Sequence, residues 1–151
     1  RNVWPADQAA RSHARSASSE MHSGFTALRG ACPMNLTKLF AAKDRGDGVA
    51  DDIERLISLW REAWALFGTG GRYLYGAFSG ADAMFAPVCS RLRTYAFDLP
   101  DDIAAYVDAI HEHPAFLRWR DAAIAEPWAL PHYEEGETPT AVLYDPTGAK
   151  A

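Results

Sequence analysis

The chain has 151 residues, 48% hydrophobic and 23% charged, with a net charge of −5 and a pI near 5.5. That length supports one globular domain with a sizeable core. The acidic balance argues against nucleic acid or an anionic membrane as partner, since either requires a basic face, and no apolar run approaches the roughly 20 residues of a membrane-spanning helix.

The opening Arg1-Asn2-Val3-Trp4-Pro5 has neither an initiator Met nor a signal-peptide core, so the chain is expected to be a processed, truncated or excised piece. The first element in chain order is a long helix from about Ala6 to Gly30. Pro5 opens it, and Ala10, Ala14, Ala17, Met21, Phe25 and Leu28 form its inward side. Cys32 follows. It and Cys89 match no zinc or redox spacing, and two lone thiols suit a reducing cytoplasm.

Lys43-Asp44-Arg45-Gly46-Asp47-Gly48 is a polar loop. Asp51 to Phe67 is the clearest helix: Ile53, Leu56, Trp60, Ala63, Trp64 and Phe67 recur three or four apart. Asp51 and Asp52 suit its positive end, and Gly68 stops it. After the Gly68-Thr69-Gly70-Gly71 loop, Ser79 starts a helix running to about Tyr95, with a kink expected at Pro87. Pro100 sits at a first helical position, followed by Asp101 and Asp102, and Ile103, Tyr106, Val107 and Ile110 make a stripe. His113-Pro114 breaks the chain before a last helix from Ala115 to Glu126. Strand signals are nearly absent, so the expected class is all-α, a bundle of five or six helices over residues 1–133. Residues 134–151 read as a polar tail, in which Ala141-Val142-Leu143-Tyr144 allows a short extended segment.

Two motifs stand out. In Ser79-Gly80-Ala81-Asp82 the serine can accept from the amide three residues on, while the aspartate reaches back to the serine amide. Phe78 holds the staple position. This capping box is structural by itself. In Glu20-Met21-His22-Ser23-Gly24-Phe25, helical spacing puts Ser18, Ser19, Phe25 and Thr26 beside the single histidine. Two readings stand for His22: a partly buried ring satisfied by a hydroxyl or carbonyl, or a group at a binding site. Met21, Phe25 and Met34 could line an apolar pocket, although such residues are more often core. Arg11 and Arg15, four apart, could hold a carboxylate, with a solvated face the favoured alternative. His13 is expected to be exposed. His111 and His113, two apart, do not converge on a metal, and no metal site is expected. No glycine run has phosphate-binding spacing, and no serine sits in a nucleophile elbow.

In this order and at this distance, the two motifs resemble the C-terminal domain of a glutathione transferase. Gly76-Ala77-Phe78-Ser79-Gly80-Ala81-Asp82 resembles the helix-start motif of those domains, whose buried Asp organises folding. Glu20 to Phe25 with Leu28 resembles the active-site helix of the bacterial beta class, in which a histidine at the place of His22 lies near the glutathione sulfur. That class often carries Lys where this chain has Ser23. The resemblance covers roughly Pro5 to Tyr133. It implies a helical domain that packs against an N-terminal thioredoxin-like domain, glutathione as substrate, a homodimer and a cytoplasmic location. On that reading His22 is catalytic and Met21, Phe25, Met34 and Arg15 contact ligand. This chain then forms the electrophile-binding side of the cleft and is inactive alone. The alternatives are a non-catalytic glutathione-transferase-like interaction module and an unrelated helical regulator.

Overall fold

A computed structural model describes residues 3–128 and 130–143. Tyr144, Pro146 and Gly148 of the expected tail, and Arg1 and Asn2, lie outside the described residues. Six α-helices account for most of the described chain, as the all-α expectation requires. They are α1 (Gln8–Ser23), α2 (Thr26–Ala31), α3 (Val49–Phe67), α4 (Gly80–Thr94), α5 (Asp101–Glu112) and α6 (Pro114–Ile124). Two short strands, β1 (Lys38–Phe40) and β2 (Pro139–Val142), pair antiparallel, and a 3-10 turn spans Pro131–Glu134.

The central element is α4, which packs against α1, α5 and β1, while α1 and α2 also pack on α3. The small residues Ala10, Ala14, Ala17 and Ser18 on α1 are all buried, and they let the neighbouring helices come close. Trp60 of α3 is fully buried. Its ring meets Phe85 of α4 and Tyr106 of α5 edge-on, at 5.5 and 4.8 Å between centroids. Such T-shaped pairs add to what burial of the large rings already contributes. Among the described residues, no helix is long and apolar enough to cross a membrane.

The structure departs from the sequence reading chiefly in four places. The expected helix from Ala6 to Gly30 is two helices. Asp7, not Pro5, caps α1, accepting from the Ala10 amide at 2.8 Å. At the other end the Gly24 amide closes on the Glu20 carbonyl, and Phe25 then takes a left-handed φ of 54°. That conformation is uncommon for a bulky residue. Here it turns the chain so that the Phe25 ring enters the core, 6% exposed. Second, strand pairing exists, in the register Lys38 to Val142 and Leu39 to Ala141. Two three- or four-residue strands lying about a hundred positions apart leave no periodic signal to read. Third, part of the polar tail is tied down: Glu134 pairs with Lys38 and accepts from Asn35, and Glu137 pairs with Lys43 and Arg45. Fourth, His13 is not solvated. Its Nδ1 lies 2.8 Å from the Tyr75 hydroxyl and its ring 5.2 Å from that of Phe67.

Pro100 is the cap of α5 rather than its first residue. The Phe78 ring stacks on His113, 3.7 Å between centroids and 7° from parallel.

Candidate functional site

The helix-start box forms and is buried. Asp82 is fully enclosed, and its carboxylate accepts four hydrogen bonds. Oδ2 takes the Ser79 amide at 2.8 Å and the Ser79 hydroxyl at 2.9 Å. Oδ1 takes the Leu74 amide at 3.1 Å and the Tyr106 hydroxyl at 3.0 Å. Burial pushes the Asp82 carboxyl above its usual range, and these four donors oppose the shift. One side chain thus joins the 74–79 loop, the start of α4 and the middle of α5. The lead-in to α1 reaches the same place, because the Gly80 amide donates to the Val3 carbonyl at 2.6 Å. A Cβ at Gly80 would stand 2.9 Å from Val3 Cγ1 and 3.3 Å from the Val3 carbonyl oxygen, so Val3 would have to shift to admit one.

The second motif sits where α1 ends. His22 is exposed, and its ring makes no hydrogen bond among the described residues. The backbone around it is fixed. The Arg29 guanidinium donates to the His22 carbonyl at 2.6 Å, and Ser23 Oγ donates to the Ser19 carbonyl at 2.9 Å. Glu20 accepts both side-on donors of Arg55 at 2.7 and 2.9 Å, joining α1 to α3. Asp52 of α3 accepts from the Leu28 amide at 2.9 Å, satisfying a donor in the first turn of α2. The result is an accessible imidazole on a braced corner.

The other residues singled out in the sequence are dispersed. Met21 and Phe25 are 8% and 6% exposed and belong to the core. Met34 is half-buried, its sulfur 3.9 Å from Arg91 Nη1. Arg15 is exposed, whereas Arg11 spends its guanidinium on the Pro5 and Ala6 carbonyls at 3.1 and 2.7 Å. Arg11 and Arg15 therefore do not form a shared clamp. Two surface grooves, of about 400 and 560 Å³, are lined by other residues, among them Ile57 and Arg61 in one and Trp64 and Arg72 in the other. Cys32 is fully buried, and burial pushes its thiol up to about 11 against the pull of Arg45 and Arg91. It carries no thiolate at neutral pH. Among the described residues no group of three His, Cys, Asp or Glu side chains is arranged to hold a metal.

Two side-chain groupings escaped the sequence. His13 Nε2 lies 3.6 Å from Glu62, while its other nitrogen meets Tyr75. Arg45, placed in a polar loop by its neighbours, buries its guanidinium over the Tyr95 ring, 4.1 Å from the centroid. Both depend on pairings across tens of positions, for which the local pattern holds no signal.

No curated protein sequence matches the chain. The family described as Glutathione S-transferase, C-terminal domain, matches residues 38–122. That span includes β1, α3, α4 with its Ser79–Asp82 box, α5 and most of α6, and it begins after His22. It covers over half of the chain, which therefore belongs to the glutathione S-transferase C-terminal domain family.

Proposed function

We propose that this domain forms the electrophile-binding side of a glutathione transferase active site, of the bacterial beta-class kind. The family match, with the buried capping box inside it, carries this reading. A thioredoxin-like domain would activate the glutathione sulfur. The thiolate attacks an electrophilic carbon, a C–S bond forms, and the leaving group departs with its electron pair. His22, exposed on its braced corner, would donate a hydrogen bond to the sulfur or to charge developing on the substrate. Arg15, exposed two turns earlier on α1, would meet a glutathione carboxylate. Met34 supplies apolar contact, while Met21 and Phe25 support the site from the core behind it. A homodimer in the cytoplasm belongs to the same reading.

The test joins this chain to a thioredoxin-like domain and follows conjugation of an aromatic halide together with glutathione binding. Saturable binding and turnover, both reduced by Arg15→Ala, would support the proposal. A well-folded joined protein that neither binds glutathione nor turns over would favour the non-catalytic interaction module.

A further inference from the structure

Arg45 is buried in an unusual state. Its side chain is 2% exposed, and Nη1 donates to Glu137 Oε1 at 2.7 Å. Among the described residues its Nε and Nη2 are buried and have no partner. These two atoms form the side-on edge of the guanidinium, the one that takes a carboxylate with two parallel bonds. Two other arginines fill that edge with a carboxylate. Arg55 uses it on Glu20 at 2.7 and 2.9 Å, and Arg61 uses it on Asp102 at 2.8 and 2.9 Å. Leaving charged donors buried without acceptors is costly, and natural structures rarely do so without a reason.

The surroundings of this edge divide into a floor and a cover. The floor is Tyr95, whose hydroxyl donates to the Pro33 carbonyl at 2.8 Å and whose ring stacks on Phe40 at 5.3 Å. The cover is the segment from Pro131 to Val142, held by the short β1–β2 pairing and by ion pairs. Glu137 meets both Arg45 and Lys43, the latter at 2.9 Å, and Glu134 meets Lys38. Glu137 and Glu134 thus supply the counter-charge of Arg45, Lys43 and Lys38.

We infer that Arg45, with Lys43 and Lys38, forms a binding site for a carboxylate-bearing ligand at the side-on edge of Arg45, and that the 131–142 segment closes over it, with Glu137 holding the neighbouring Nη1 and Lys43. The carboxylate class follows from the groups already seated there, Glu134 and Glu137, and from the shape of the empty edge. When the cover lifts, an incoming carboxylate takes the side-on edge of Arg45, and Lys43 is released from Glu137 to pair with it. The site is independent of His22 and of the transferase reading.

The probe is acetate, compared with chloride at matched ionic strength. Glu137→Gln should melt lower than the unaltered chain in chloride, and acetate should raise its Tm saturably. The same acetate series should do nothing in Glu137→Gln combined with Arg45→Lys, which keeps the charge and loses the fork. In the unaltered chain the Arg45 Nε–H resonance should shift saturably with acetate and stay fixed with chloride. This second readout does not depend on any variant folding. Equal responses to acetate and chloride would overturn the proposal, as would a response that survives Arg45→Lys. A response to inorganic phosphate without one to acetate would overturn the carboxylate assignment.

Discussion

The Tyr106 hydroxyl donates to Asp82 Oδ1 across 3.0 Å, so α5 is fastened to the carboxylate that starts α4. Tyr106 is almost wholly enclosed, and Asp82 also holds the Ser79 and Leu74 amides. Removing either end leaves buried polar atoms without partners. Ser79→Ala and Asp82→Ala are therefore expected to destabilise the domain by about 1–3 kcal/mol, with Asp82 at the upper end. Tyr106→Phe should cost about 1 kcal/mol. Urea midpoints check all three, and unchanged midpoints would remove the carboxylate from its organising role.

Gly24 and Gly30 make an opposed pair. A Cβ at Gly24 would stand 2.8 Å from the Glu20 carbonyl oxygen, which is backbone and cannot yield cheaply. Gly24→Ala should destabilise by about 1–3 kcal/mol. Gly30 lies within α2 with nothing within 4 Å of its absent Cβ. Gly30→Ala should stabilise by about 0.5–1 kcal/mol, because glycine weakens a helix interior. Thermal melts of the two variants should move in opposite directions.

His111 gives the fold an acid sensitivity. Burial lowers its pKa from 6.5 to about 4, so the folded ring stays neutral and donates from Nδ1 to the Val107 carbonyl at 2.7 Å. The unfolded chain binds this proton more readily than the native one does. Stability is therefore full above pH 6.5 and falls as the pH drops toward 4. His111→Gln, which keeps a donor and does not titrate, should flatten the stability curve across that window in urea titrations at several pH values.

His22 should separate stability from activity. The ring is exposed and bonds to nothing among the described residues, so His22→Ala should change the melting point little. In a protein joined to a thioredoxin-like domain, loss of a charge-assisted hydrogen bond worth roughly 1.5–3 kcal/mol would lower kcat/KM about ten- to a hundredfold. Ser23→Lys should alter glutathione affinity. A His22→Ala protein with unchanged kcat/KM would assign the histidine to the surface.

Helix α3 and the start of α4 were legible because their signals are local. The Trp60 stripe repeats at helical spacing, and the Ser79–Asp82 box spans four residues. The break at Gly24–Phe25 was not legible, since Phe25 continues the apolar spacing of α1 and only its left-handed backbone reveals the turn. The loop holding Arg45 was legible, but the burial of its side chain was not. Its neighbours are polar and glycine-bearing, but its side chain is enclosed by Tyr95 and by Glu137, 92 positions later. Tyr106 was read as part of an apolar stripe, and its hydroxyl contact with Asp82 became visible only in three dimensions. For the candidate site, the sequence singled out His22 but left open a partly buried ring or a binding group; its exposure, like the burial of Met21 and Phe25, depends on how α1 meets the rest of the core.

The pairing of β1 with β2 also sets an order of assembly. Everything that α1 to α6 need for mutual packing has been synthesised by Ile124, whereas the strand that pairs with Lys38–Phe40 begins at Pro139. The helices can therefore consolidate through nearby contacts while β1 still lacks its partner, and the slow closure of a loop of about a hundred residues comes last. A released chain ending at Ile124 should already resist protease through its helices, with β1 and the Lys43–Gly48 loop open to cleavage until the 139–142 strand is present.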